Sequence, residues 1–301
     1  MNGSQVVLVT GCSSGFGELI AKTLAKAGHI VFATMRDVAD RNSLPARDLE
    51  AWGRQDNLRL KVIEMDVADS ESVEQAVRAV VVEAGRIDVV VNNAGIAAGG
   101  PIEAFDIEQM QALFDVNVFG PLRVDKAVLP AMRQRRDGLL IHVSSTLGRV
   151  LPNSGGLYPA SKWAVEGLAE SLYYQLKPFD VDLVILEPGS FPTPATSKGL
   201  TPRNTVIQAE YSKVPPISTR AREVTPGHKP PDPQEVADAV LELVSMPSGA
   251  RPMRKVVGPI FTTGVEEYNL LYERVRDELA ESLKRPDQAI TWGRPVQDKS
   301  D

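Results

Sequence analysis

The sequence is poor in the residues that build disulfides and metal sites. It has one cysteine, Cys12, in 301 residues, which excludes an internal disulfide and a cysteine-based zinc site and fits a reducing compartment. Its three histidines, His29, His142 and His228, are scattered without metal-ligand spacing. His142 lies inside the apolar run LLIHVSS and is read as a core residue. There is no basic surplus: 33 Lys and Arg stand against 39 Asp and Glu, a net charge of −6. A nucleic acid or an anionic membrane would find no electrostatic footprint here, so neither is an expected partner. The short basic clusters RQRR at 133–136 and RPMRK at 251–255 are read as solvated faces. No apolar run approaches the ~20 residues of a membrane-spanning helix. The start, MNGSQVVLVTG, has neither a basic stretch nor a long apolar one, so a cytoplasmic protein without a signal peptide is expected.

What is present is an ordinary well-packed composition, 43% hydrophobic and 24% charged. Short β-branched runs recur at 6–10, 30–35, 58–65, 87–93, 139–145 and 181–188. Near-continuous apolarity requires burial on both faces, as in parallel strands. Amphipathic segments of helical length separate them, at 16–27, 70–84, 107–135 and 158–177. Gly28 stops the first of these, Asp69 and Ser70 open the second, and Pro178 closes the last. The alternation predicts a single α/β domain, a doubly wound Rossmann-type parallel sheet of about seven strands with helices on both faces. Residues 189–231 are rich in Pro, Thr and Ser and read as a structureless substrate lid. A helix at 232–246 and a last strand at 254–259 complete a catalytic domain over 1–260. Residues 261–301 form a helical extension and polar tail. Within it Leu271, Val275, Leu279 and Leu283 are spaced four apart, suited to the mouth of the site, to a partner subunit, or to docking on the domain itself.

Two motifs carry chemistry. TGCSSGFG at 10–17 follows the first strand and opens a helix, where glycines admit a phosphate to the backbone and free N–H groups bind it. Gly11, Gly15 and Gly17 give the spacing GxxxGxG, with Ser13, Ser14 and Phe16 between them. In SGGLYPASKWAVEG at 154–167, Tyr158 and Lys162 lie one helical turn apart on a common face. A phenol has a pKa near 10, and a fixed ammonium nearby would lower it toward use as a proton shuttle. Val165, Leu168, Leu172 and Leu176 form the apolar stripe on which that helix would sit.

The order TGxxxGxG, then NNAG at 92–95, then YxxxK at 158–162 resembles the short-chain dehydrogenase/reductase family over residues 5–260, in a branch similar to the hydroxysteroid and retinol dehydrogenases. The resemblance implies a catalytic set of Asn117, Ser145 (13 residues before the tyrosine), Tyr158 and Lys162. It implies a cofactor site from the glycine-rich turn, the pair Asp66–Val67, the run Asn93–Ala94–Gly95, and Pro188 and Thr193 of PGSFPT, with Tyr158 and Lys162 also touching the cofactor. Lys162 would clamp the nicotinamide ribose, Ser145 would hold the substrate oxygen and Asn117 would anchor a water relay. Members using NAD carry an acidic residue at the end of the second strand. Met35 stands there instead and Arg36 follows, which points to NADP(H) over NAD(H), with Ser13 adding a hydroxyl; Asp37 is the competing ligand for the ribose. The expected function is hydride transfer between NADP(H) and a moderately apolar ketone, aldehyde or alcohol, with Tyr158 as general acid and base, in a homodimer or homotetramer joined by the helices near 107–135 and 158–177. The rival is a non-catalytic NADP-binding sensor on the same fold.

Overall fold

The structure is a computed structural model that describes residues 3–151, 156–194, 199–214, 230–259 and 262–283. Seven strands are found: β1 (Val6–Val9), β2 (Ile30–Met35), β3 (Leu60–Glu64), β4 (Val89–Asn92), β5 (Gly138–Val143), β6 (Val181–Pro188) and β7 (Arg254–Val257). All neighbouring pairs are parallel, in the order β3-β2-β1-β4-β5-β6-β7. The chain leaves β1 in one direction for β2 and β3 and in the other for β4 onward. A crevice therefore opens at the carboxyl ends of β1 and β4, the place where such sheets bind ligands.

Alternate side chains of each strand feed two cores. Val7 and Val9 point to the layer of α1 (Gly15–Lys26), α2 (Ser43–Gln55) and α8 (Gln234–Ser245), where Ile20, Leu24, Leu49, Val240 and Leu243 are buried. Val6 and Leu8 point to the layer of α3 (Ser70–Ala84), α5 (Gly120–Arg135) and α6 (Leu157–Leu176), with Val80, Met132 and Tyr173. The punctuation read from the sequence is in place: Asp69 accepts from the Glu71 N–H at 2.9 Å, Gly28 has φ +93°, and a 3-10 turn at Lys177–Phe179 follows α6.

The structure corrects five readings. The segment 107–135 is not one helix: α4 (Ile107–Phe114) passes through a wide π turn at Asp115–Phe119 before α5 begins. Helix α2 went unpredicted because its polar sequence buries only Ala46, Leu49 and Gly53. The lid stretch contains a short helix, α7 (Thr205–Glu210), whose first turn Asn204 caps by accepting from the Ile207 N–H at 3.1 Å. On α6 the buried stripe runs through Val165, Ala169, Tyr173 and Leu176, leaving Leu168 exposed. Finally, RPMRK is no solvated face. Arg251 and Arg254 are buried, the first paired with Asp182 at 2.5 Å and the second within a cluster of carboxylates.

The last helix, α9 (Thr263–Ser282), docks on the domain by a face other than its leucine stripe, so of the three uses open to that stripe, docking on the domain itself is not the one found. It docks through Val265, Asn269 and Ala280, while Leu271, Val275, Leu279 and Leu283 are exposed. Polar Asn269 faces inward because charged partners await it there, described below.

Where α1 begins, the backbone packs too tightly for any side chain. A Cβ on Gly17 would overlap the Gly11 carbonyl oxygen and approach the Asn93 side-chain nitrogen to 2.5 Å. Gly17→Ala is expected to push α1 away from the β4 loop, at a cost of about 1–3 kcal/mol for overpacking. Thermal unfolding checks this; an unchanged melting temperature would contradict the tight contact.

Candidate active site

The loops that follow β1, β2, β4, β5 and β6 enclose a cavity of 1670 Å³, beyond the ~300–1,000 Å³ of a single small-ligand pocket. At its base, Thr10 and Asn93 clasp the ends of β1 and β4. The Thr10 hydroxyl accepts from the Asn93 and Ala94 N–H groups at 3.0 and 2.9 Å. Asn93 returns its amide to the Thr10 and Gly11 carbonyls at 2.8 and 3.2 Å. Gly11, at φ +73°, must be glycine: a Cβ there would stand 2.7 Å from the Ala94 Cα. Gly15, at φ +65°, exposes the start of α1 to the cavity beside Thr193, whose Cβ would be 3.7 Å from an added methyl. Phe16 meets Phe191 edge-on at 5.6 Å, tying the glycine-rich turn to the segment after β6.

Ser13, Ser14, Gly95, Asp66, Val67 and Pro188 also line the cavity, as the sequence expects. Gly17 does not; it serves the packing just described. At the end of β2, Met35 is buried, and Arg36 and Arg41 both reach the cavity wall with Ser13. Arg36 lies 3.9 Å from Asp66. Asp37, the rival ribose ligand, is not among the lining residues: it is turned to φ +53° and paired with Arg41 at 2.8 Å. Arg41 escaped the sequence reading because it lies five residues beyond the motif; only the turn after β2 folds it back.

At the other end, α6 presents Tyr158 and Lys162 from its first two turns, after Gly156 at φ +66°. Gly155 lies outside the described residues. Ser145, at the end of the β5 segment, hydrogen-bonds the phenol and accepts from the Leu147 N–H at 3.2 Å. Its neighbour Ser144 is buried and makes no hydrogen bond through its hydroxyl. Lys162 is 5% exposed; its Nζ donates to the Val143 carbonyl at 2.8 Å and stands 5.7 Å from the Tyr158 ring centre. Asn117 sits in the π turn, fully buried and off the cavity wall. Its amide bonds the Ile96 N–H and carbonyl at 2.8 and 2.9 Å and the Ser161 hydroxyl at 3.0 Å. A Cβ on Gly95 would touch the Asn117 Oδ1 at 3.4 Å and Lys162 Nζ at 3.9 Å, so the missing side chain lets amide and ammonium converge.

The electrostatics differ from the simple expectation of a lowered phenol. Burial pushes Tyr158 up to about 12, with the Ser145 hydrogen bond pulling the other way. Burial also pulls Lys162 down to about 8, against the opposing charge of Glu166. For each group, burial disfavours the ionised form by more than its neighbours favour it.

The substrate side is formed by the β4–α4 connection and the chain around α7. The Leu200 N–H donates to the Ala97 carbonyl at 2.8 Å and its carbonyl accepts from the Gly99 N–H at 3.1 Å, and Tyr211 donates to Glu103 at 2.5 Å, so the two walls are joined. In the lid stretch Leu200, Tyr211 and Val214 line the cavity and Val206 is exposed, while Ile217 lies outside the described residues.

This arrangement has relatives. A 3-ketodihydrosphingosine reductase of Bacteroides thetaiotaomicron is 38% identical over 189 residues, 63% of this chain and 65% of its own length, so the chain spans just under two thirds of that protein. The human retinol dehydrogenase 8 is 36% identical over 83% of this chain and 80% of its own. Among solved structures, an alcohol dehydrogenase of Thermococcus sibiricus, complexed with 5-hydroxy-NADP, superposes with a TM-score of 0.67 at 28% identity, covering 84% of this chain and 95% of that one. The short chain dehydrogenase family matches residues 5–203, and with β1, β4 and α6 bringing the glycine-rich turn, NNAG and YxxxK around one cavity, the chain belongs to that family.

Proposed function

We propose that this protein is an NADP(H)-dependent oxidoreductase that interconverts a moderately apolar ketone or aldehyde and the corresponding alcohol. The observation that carries the reading is the meeting of Ser145, Tyr158 and Lys162 on the wall of a cavity whose far end is lined by Arg36, Arg41 and Ser13. Relatives named as dehydrogenases and reductases support it. A non-catalytic sensor is the less favoured reading, since it would have no need of a serine, tyrosine and lysine gathered at one end of the cavity.

The residues present fit a nicotinamide dinucleotide. Gly11 and Gly15 leave the backbone bare where a pyrophosphate would meet the N-terminus of α1. The guanidinium groups of Arg36 and Arg41 suit a 2′-phosphate, and Asp37 is already engaged. Asp66 and Val67 would flank the adenine, Thr193 would reach the carboxamide, and Lys162 the ribose. When bound, the nicotinamide supplies or accepts the hydride. The chain's own part is acid–base chemistry. Ser145 donates to the substrate oxygen and holds it beside the phenol. Tyr158 transfers its proton to that oxygen during reduction and recovers it during oxidation. A phenol held at about 12 keeps its proton at neutral pH, so it enters reduction in the protonated form. Lys162 steadies the phenolate left behind. Asn117, fixed to Ile96 and Ser161, braces Lys162 across Gly95 and is proposed to anchor the proton's path to solvent.

The cavity wall near Tyr158 offers Ile96, Val116, Leu147, Phe191 and Leu200, which suits a substrate of appreciable apolar area. Phe119 and Trp163 are exposed on the π turn and α6, surfaces that would join subunits in a homo-oligomer. Among the described residues no helix is long and apolar enough to cross a membrane.

Two substitutions test the reading. Tyr158→Phe is expected to lower kcat by about 10²–10⁴, the usual worth of a general acid, with NADPH affinity essentially retained; wild-type turnover in this variant would refute the role. Arg36→Ala is expected to raise the KM for NADPH roughly tenfold, the loss of one charge-assisted hydrogen bond, and to leave that for NADH unchanged. Equal losses with both cofactors would remove the NADP assignment.

A further inference from the structure

Behind the reaction centre lies a buried ionic cluster that the proposed mechanism does not use. Arg254 of β7 donates through Nε to Glu166 Oε2 at 3.0 Å and through Nη2 to Glu170 Oε2 at 2.7 Å, both on α6. The same Nε is 3.3 Å from Glu187 Oε1, at the end of β6. Asn269 of α9 closes the cluster, donating to Glu187 Oε2 at 2.7 Å and accepting from Arg149 Nε at 2.8 Å. The rings of Tyr268 and Tyr272 cover Arg149 at 4.8 and 4.6 Å, and the Tyr272 hydroxyl donates to Glu170 at 3.2 Å. Glu166, Glu187, Arg149, Arg254 and Asn269 are all buried.

Charges are expensive to bury, and a cluster of this kind rarely adds stability over a well-packed apolar one. Its position suggests another use. Glu166 follows Lys162 by one turn on the same face of α6. A Cβ on Gly148 would lie 3.1 Å from Glu166 Cγ, 3.2 Å from the Lys162 carbonyl and 2.9 Å from the Ser144 hydroxyl. The stem of Glu166, the backbone of Lys162 and the serine loop thus converge on one point. From other elements Lys162 meets two uncharged groups, the Val143 carbonyl it bonds and the Asn117 amide on the far side of Gly95. On its own helix it faces the neutral phenol of Tyr158 and the carboxylate of Glu166.

We infer that Glu166 is a positioning residue for Lys162: held by Arg254, its carboxylate supplies the buried negative charge that keeps the ammonium protonated at working pH. The inference rests on the reading of Lys162 as the ammonium of the reaction centre. The remaining members of the cluster keep that charge in place. Three carboxyl groups face two guanidinium groups, and burial and then the charge of Glu166 hold Glu187 above the usual carboxylate range, against Asn269, Arg254 and Arg149. Burial depresses Lys162, and Glu166 is the charge that opposes it. Without Glu166 the ammonium would lose its proton at a lower pH. The C-terminal helix, through Asn269 and the two tyrosines, is then part of the mounting of the catalytic lysine.

The test is the titration of Lys162 itself, by NMR of its side-chain carbon assigned with Lys162→Met, beside the pH profile of kcat/KM for NADPH-dependent reduction. Glu166→Gln leaves two carboxyl groups facing two guanidinium groups, so no cation is orphaned. It is expected to lower the Lys162 midpoint by about one pH unit, as loss of a nearby opposite charge does, and to bring down the alkaline limb of kcat/KM with it. Glu170→Gln removes a carboxylate from the same cluster two turns away from Lys162 and is expected to move neither. Should Glu166→Gln not fold, Glu166→Met, similar in volume, carries the same expectation. A midpoint unmoved by loss of Glu166, or moved equally by Glu170→Gln, overturns the inference. A wild-type protein that reduces no carbonyl would remove the oxidoreductase reading instead, and the NMR midpoint would still decide the role of Glu166.

Discussion

The clasp between Thr10 and Asn93 holds the carboxyl ends of β1 and β4 together at the point where the chain divides to the two sides of the sheet. Four short hydrogen bonds fix one loop against the other. That approach is close enough to demand glycine at 11 and 17, and it sets the direction in which α1 leaves the sheet. The exposed start of α1, the Gly95 corner and the cavity between them follow from this junction. Without it the glycine-rich turn would be an ordinary connection between a strand and a helix.

At the other end of the cavity the organising physics is desolvation. Tyr158 and Lys162 are held away from water, and the same burial that makes the phenol a weaker acid makes the ammonium a stronger one. Proton transfer between a buried pair can be tuned only by groups fixed beside it. Here those groups are Ser145 on the phenol, the Val143 carbonyl on the ammonium, and Glu166 one turn below. None of them lies on a mobile surface side chain. Val143 ends β5, Glu166 is on α6 and Ser145 opens the short turn just after β5, so the site depends on the packing of the two cores and on that one turn.

The cofactor end depends on surface charge instead. Arg36 and Arg41 are partly exposed, and the turn after β2 directs both toward the cavity while Asp37 turns away to meet Arg41. An acidic residue at the end of β2 would reverse that polarity; Met35 leaves it cationic. Preference for one dinucleotide over another is thus a matter of two or three residues in one turn, whereas binding of any dinucleotide uses the backbone of several strands.

The sequence by itself determined the sheet, because strands buried on both faces must be continuously apolar, and it determined the local spacings within TGCSSGFG and YxxxK. It placed Tyr158 and Lys162 on one face, since helical geometry needs no tertiary information. It also located Ser145, Asn117 and Arg36 through their resemblance to a family pattern. Helix α2 was not legible, its three buried residues being too few to set a period. The use of the α9 stripe stayed open, because an exposed leucine stripe and a buried one look alike in sequence. Arg251 and Arg254 looked solvated because their carboxylate partners lie more than sixty residues away along the chain. Only the tertiary structure decided which charges are buried and what they face. Desolvation and pairing depend on distance in space, which separation along the chain does not give.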